Sequence, residues 1–177
     1  MATTKWVMDP AHSEIQFKAK HLMITNVTGS LGTFEGTAET EGESFENAKA
    51  EFKAQANSIT TGSEQRDGHL KSDEFFGTDK YPEIKFVSTT IKKKSGEDYV
   101  MEGNLTIRDA TKPVKLDVEF HGTQKDPWGN TKAGFSVTGK INRTDWGLKW
   151  NAALEAGGMM VSEDIKIQCE VQFTKQA

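Results

Sequence analysis

The chain predicts an all-β fold: an eight-stranded antiparallel up-and-down barrel, with a short helical insert at about 62–76. Eight stretches alternate apolar and polar residues, and no stretch of similar length has a helical period. Most links between them are short and carry turn residues. Successive side chains of a strand point to opposite faces, so each alternating run has one dry side and one wet side. A sheet made this way must close its dry face on itself.

The runs fall at about 12–20, 27–40, 48–57, 83–92, 98–108, 113–122, 132–141 and 163–174. In the third, Ala48, Ala50, Phe52, Ala54 and Ala56 alternate with Lys49, Glu51, Lys53 and Gln55. In the sixth, Val114 to Phe120 reads Val-Lys-Leu-Asp-Val-Glu-Phe. Gly42-Glu43-Ser44, Ser95-Gly96-Glu97, Ala110-Thr111-Lys112 and Asp126-Pro127-Trp128-Gly129-Asn130 supply tight turns. Two links are long. Residues 58–82 hold Thr61-Gly-Ser-Glu64, which predicts a capping box and a short helix through about Leu70. Residues 142–162 have little periodicity and carry Trp146, Trp150, Met159 and Met160.

An up-and-down path places the links after strands one, three, five and seven at one end. That end gathers Leu22-Met23-Ile24, the helical insert, residues 108–112 and the 142–162 loop, while the other end holds tight turns only. The expected shape is a cup with one mouth. Its inner face comprises Ile15, Phe17, Phe52, Ile84, Phe86, Met101, Leu105, Ile107, Leu116, Val118, Phe120, Phe135, Val137, Ile141, Ile165 and Ile167, the candidate ligand-lining residues. Small residues lie among them: Ala48, Ala50, Ala54, Ala56, Ala133, Gly103 and Gly139. Eight strands enclose either a packed core or room for one small ligand. The small residues fit both, leaving a channel or letting their neighbours interdigitate.

Composition narrows the function. At 177 residues the chain suits a single domain, residues 1–177. Net charge is −4 and the isoelectric point about 5.6, against a nucleic-acid binder. The hydrophobic fraction is 35% and mean hydropathy −0.61, values that a thinly filled interior or simply a charged outer face would each give. No run of about 18 apolar residues exists to span a membrane as a helix. The one cysteine, Cys169, sits on an apolar face and reads as a small buried hydrophobe.

Catalytic signatures are missing: there is no Gly-x-Ser-x-Gly, no Walker loop and no Gly-x-Gly-x-x-Gly. Gly29-Ser-Leu-Gly32-Thr-Phe-Glu-Gly36 lies inside an alternating strand and reads as bends or bulges. His12, His21, His69 and His121 show no zinc spacing. His12 and His21 are nine apart and would face opposite sides of one strand. No cofactor, metal or catalytic set is expected. The mouth gathers Lys20, His21, Arg66, His69, Lys71, Arg108, Lys112, Arg143 and Lys149. Of these, His21, Arg66 and Arg143 are the head-group candidates for an anionic ligand. Glu64, Asp67, Asp73, Glu74, Asp109, Asp145 and Glu155 share that end and offset the field. Leu22-Met23-Ile24 packs under the insert, forms a lip to the mouth, or joins two subunits.

The residues also resemble a known family. Trp6-Val-Met-Asp9-Pro-Ala-His12-Ser13, then Phe17, Lys20-His21-Leu22 and Gly29, is similar to the opening of the YceI-like proteins. Arg66-Asp-Gly-His69-Leu70-Lys-Ser72-Asp-Glu-Phe75-Phe76 and Tyr81-Pro82-Glu-Ile-Lys-Phe86 resemble that family's central motif. Gly103-Asn-Leu105-Thr-Ile107, Thr111-Lys-Pro113-Val and Arg143-Thr-Asp145-Trp146-Gly147 continue the match in order. The resemblance implies a lipocalin-like barrel holding a long amphiphile such as a polyisoprenoid. It also implies homodimers, and a periplasmic setting or one beside membrane cytochromes. It transfers no catalytic set.

The expected function is therefore binding, storage or transport of a long-chain isoprenoid or fatty lipid, with a transient membrane or membrane-protein contact, and no enzyme. Two rivals stand beside it. One is an enzyme acting on a bound lipid through His12, His21 and Asp145; the other is a solidly packed barrel that docks proteins at its mouth. As written, the chain carries no leader, so the cytoplasm is the expected compartment, and the periplasm if a leader has been removed.

Overall fold

A computed structural model describes residues 2–151 and 160–177. Eleven strand segments form one antiparallel sheet: β1 (Thr3–Met8), β2 (Glu14–His21), β3 (Thr25–Leu31), β4 (Phe34–Glu41), β5 (Ser44–Gln55), β6 (Ile59–Thr60), β7 (Glu83–Ser95), β8 (Asp98–Ile107), β9 (Ala110–Lys125), β10 (Thr131–Asn142) and β11 (Asp164–Lys175). Three breaks account for the excess over eight. β1 and β2 both lie beside β11, and β3 and β4 continue one another across Gly32–Thr33. β5 and β6 do likewise across a 3₁₀ turn at Ala56–Ser58. The eight resulting staves run up and down in sequence order. β11 returns to β1 through Trp6↔Lys175, Val7↔Thr174 and Met8↔Phe173 and closes the barrel.

The first stave begins earlier than the alternation suggested. β1 contributes just two buried inward residues, Trp6 and Met8, before Pro10 breaks the period. Asp9 makes that break orderly. Its Oδ1 accepts from Ala11 N, and its carboxylate meets His12 Nδ1 at 2.8 Å and Lys132 Nζ at 3.2 Å. Hydrogen bonding from His12, followed by Lys132, outweighs burial and holds the Asp9 carboxyl below its ordinary value.

The helical insert is present as α1 (Glu64–Lys71), but the cap is not the expected one. Ser63 is the N-cap and accepts from Arg66 N. Thr61 instead donates both its backbone N–H and its hydroxyl to Asp67 Oδ1, at 2.8 and 2.6 Å. The turn between β8 and β9 is Arg108–Asp109, two residues ahead of the expected 110–112.

The closed pole is sealed by aromatic rings. Phe45 touches Trp6, Phe120 and Phe135, with centroids 5.2, 5.1 and 5.0 Å away, and Phe173 stands edge-on to Phe135. Trp6 is 1% exposed, and its indole N–H donates to Thr40 Oγ1, satisfying the one polar atom it buries. Among the described residues, the elaborate links lie at the opposite pole, as expected for an up-and-down path.

Candidate functional site

The barrel is hollow. An apolar cavity of about 770 Å³ runs from the Phe45 floor to the elaborate pole. Of the sixteen expected lining residues, fifteen face it: Ile15, Phe17, Phe52, Ile84, Phe86, Met101, Leu105, Ile107, Leu116, Val118, Phe135, Val137, Ile141, Ile165 and Ile167. Phe120 does not. It points inward, as its parity requires, but lies below the lumen, stacked on Phe135 at 5.2 Å and covered by Phe45.

The small residues serve both of the uses left open. Phe17 lies across its cross-strand partner Gly29, where an added Cβ would fall 2.2 Å from the ring. The ring of Phe86 covers Gly103 and Leu116 covers Gly139, with similar 2.5 and 2.4 Å conflicts. These glycines let large side chains lie flat on the wall. Ala48 and Ala50 instead face open lumen. Interdigitation along the wall thus keeps the axis empty.

Alternation missed some lining residues because the strands are irregular. A bulge between Ser88 and Thr90 shifts the parity of β7, so Ile91 turns inward although Ile84 and Phe86 have the opposite parity. Phe45 stands ahead of the third regular run, whereas Tyr99 shares the inward parity of Met101 within the fifth and was legible from alternation alone.

At the mouth, His21, Thr61, Arg66, His69, Phe75, Trp150 and Met160 rim the opening. His69 is tied to Glu74 by a 2.6 Å contact, and its ring meets Phe75 and Trp150 edge-on. Arg66 is exposed. Its Nε donates to Thr61 Oγ1 at 2.7 Å and its Nη2 to Thr61 O at 2.9 Å, so Nη1 has no partner among the described residues. His21 is half-buried and its ring has no hydrogen bond among the described residues.

Arg143 is a different case. It is 4% exposed and donates to the carbonyls of Ser162, Leu148 and Val161. Burial lowers its pKa, opposed in part by Glu163. The guanidinium borders the cavity, but its donors hold the two ends of the mouth loop together. Trp146 also supports that loop: it is 3% exposed and donates to Leu105 O at 2.8 Å. Met159 and Glu155 lie outside the described residues.

The constellation that the rival enzyme reading needs is not assembled. His12 is exposed in the 3₁₀ turn at Pro10–His12, while His21 lines the mouth. β2, eight residues long and ending at His21, runs between them and separates the two by roughly 25 Å at about 3.3 Å per residue. Asp145 is exposed. Among the described residues, no three His, Cys, Asp or Glu side chains cluster to hold a metal ion.

Cys169 also lines the cavity and is 8% exposed; burial pushes its thiol up to about 11. At pH 8 only about one thiol in a thousand is then ionised. Iodoacetamide is expected to leave the native protein unmodified by mass and to label it fully in urea. Rapid labelling of the native protein would contradict this burial.

A closed eight-stranded antiparallel barrel with one open, loop-rich pole over an apolar lumen defines a lipocalin-like binding barrel. The chain belongs to the YceI-like family, whose domain profile matches residues 6–173. A UPF0312 protein of Staphylococcus aureus (strain MSSA476) is 39% identical over 172 residues, which is 97% of this chain and 98% of the relative. The Campylobacter jejuni YceI protein has a crystal structure that superposes with a TM-score of 0.76 at 32% identity, covering 89% of this chain and 90% of that one. The polyisoprenoid binding domain from Saccharophagus degradans shares the fold, with a TM-score of 0.66 at 16% identity over 97% of this chain and 98% of that one.

Proposed function

We propose that the protein is a carrier for one long-chain amphiphile, a polyisoprenoid or similar lipid, with its tail along the barrel axis and its head group at the mouth. The one-ended apolar cavity of about 770 Å³ carries this reading. Its volume lies in the usual range of roughly 300–1,000 Å³ for small-molecule sites. The same-fold domain described as polyisoprenoid binding supports the choice of ligand class. The separation of His12 from His21 favours binding without turnover.

Removal of hydrocarbon from water drives the association, at about 0.8 kcal/mol per CH₂. A 40-carbon chain would gain roughly 30 kcal/mol at that slope, above the ceiling of about 18–21 kcal/mol for non-covalent complexes. Folding of the free chain on itself and its ordering on binding take up the difference. Affinity therefore rises with tail length until the tail reaches Phe45, and then levels off.

Native mass spectrometry of protein purified from its host, followed by lipid extraction, tests the proposal. A co-purifying lipid of defined mass is expected; absence of any lipid, together with binding indifferent to tail length, would refute it. Arg66→Ala is expected to weaken anionic amphiphiles by about 1.5–3 kcal/mol, roughly ten- to a hundredfold, and to spare neutral ones. Equal loss for both in titration calorimetry would remove Arg66 from the head-group role.

A further inference from the structure

The hairpin joining β2 to β3 turns at the mouth through residues 21–24, closed by Ile24 N donating to His21 O at 3.2 Å. Its central residues, Leu22 and Met23, have φ of 54° and 60°. Two consecutive left-handed residues make the mirror-type hairpin turn, which normally uses Asn-Gly or Gly-Gly because bulky side chains clash there. Here the turn has unfavourable residues, and it also shows them to water. Leu22, Met23 and Ile24 are 39%, 48% and 79% exposed, so the tip does not pack under the insert. It is firmly held at its base, where Leu22 N donates to Met160 O at 2.7 Å and His21 pairs with Val161. An apolar, sterically costly and braced projection invites a partner that accepts hydrocarbon.

A second observation identifies that partner. Lys18, Lys166 and Lys140 are direct cross-strand partners on β2, β11 and β10, and form one row on the outer wall. Lys20, exposed and also bordering the cavity mouth, follows two residues nearer the tip. Like charges placed opposite one another repel, and the protein as a whole carries a net charge of −4. Among the described residues only Lys140 has a carboxylate partner, Asp164 at 3.4 Å. Glu163 is the other acid at this end of β11, and its carbonyl accepts from Arg143 N. Beside the row, the outward residues of β3 are the uncharged Thr28 and Asn26, facing Lys18 and Lys20.

From this juxtaposition we infer that the β2–β3 tip is a membrane-docking finger. Leu22, Met23 and Ile24 enter the acyl boundary of an anionic bilayer, and Lys18, Lys20 and Lys166 meet its head groups. Because His21 of the same hairpin lines the cavity, docking sets the mouth against the bilayer. A tail can then pass between membrane and barrel without crossing water. The purpose of this docking rests on the carrier reading, but its test does not.

The test is flotation of the full chain with phosphatidylcholine vesicles, with and without phosphatidylglycerol. Binding is expected only to the anionic vesicles and should weaken with salt. Lys18→Gln/Lys166→Gln should lower it roughly thirtyfold, at about 1 kcal/mol per lysine near the surface. Ile24→Asp should lower it at least about tenfold, while uptake of detergent-dispersed lipid stays unchanged. Vesicle binding that survives both variants, or no vesicle binding by the parent, would overturn the inference. So would a parent dimer that Ile24→Asp converts to monomer with no effect on vesicles, since the tip would then serve a second copy. Loss of lipid uptake with vesicle binding intact would count against the carrier reading alone.

Discussion

Phe45→Ala lowers the stability of the barrel by about 3–5 kcal/mol, the usual cost of truncating a buried phenylalanine to alanine. The ring is 6% exposed and touches Trp6, Phe120 and Phe135 within 5.2 Å, so its removal leaves a void shared by four strands. For a chain of this size the melting temperature should fall by roughly 10 °C. Urea unfolding monitored by tryptophan fluorescence measures the effect. Trp128→Ala is the comparison: Trp128 is 84% exposed on the Asp126–Asn130 turn, and its removal should change stability by no more than about 0.5 kcal/mol. Equal effects of the two would mean that the aromatic floor is not a packed element. Since Phe45 also faces the lumen, the alanine variant should accept longer tails than the parent does.

Ala50→Trp is expected to abolish most lipid binding without unfolding the protein. Ala50 faces the cavity from β5, opposite the equally small Ala38 of β4, which also lines it. An indole there takes the space of three or four methylenes. At about 0.8 kcal/mol each, affinity for a long tail falls roughly a hundredfold or more. Calorimetric titration with a tail series separates this from a general loss. Short tails that stop above Ala50 should bind normally, and long ones should not. Unchanged affinity across the series would place the ligand outside the barrel.

Both expectations depend on features that were unequally legible in the sequence. The barrel and its single mouth followed from period-two alternation and from link lengths, because inward parity and an up-and-down path are local properties of a strand. Parity alone put fifteen side chains on the lumen, and it placed Phe120 on the correct face. It carried no height along the axis, so it could not place Phe120 beneath the floor. Ile91 was hidden by the Ser88–Thr90 bulge, which reverses parity without any residue signature. β1 was hidden by its length and by Pro10. Hollowness was not readable at all. It depends on whether rings lie along the wall or across the lumen, and Gly29, Gly103 and Gly139 decide that through contacts between strands. The mouth shows the same limit. Arg66 and Arg143 look alike in sequence, yet one has a donor to spare and the other spends its guanidinium on three carbonyls.

The claim that an open apolar lumen holds a hydrocarbon tail is tested most directly by a crystal structure of protein purified without lipid stripping. Continuous density along the axis is expected, starting between His21 and Arg66 and ending on Phe45. The Phe17 and Phe86 rings should lie flat on Gly29 and Gly103. Rings folded across the lumen, with no space or density between them, would contradict the account.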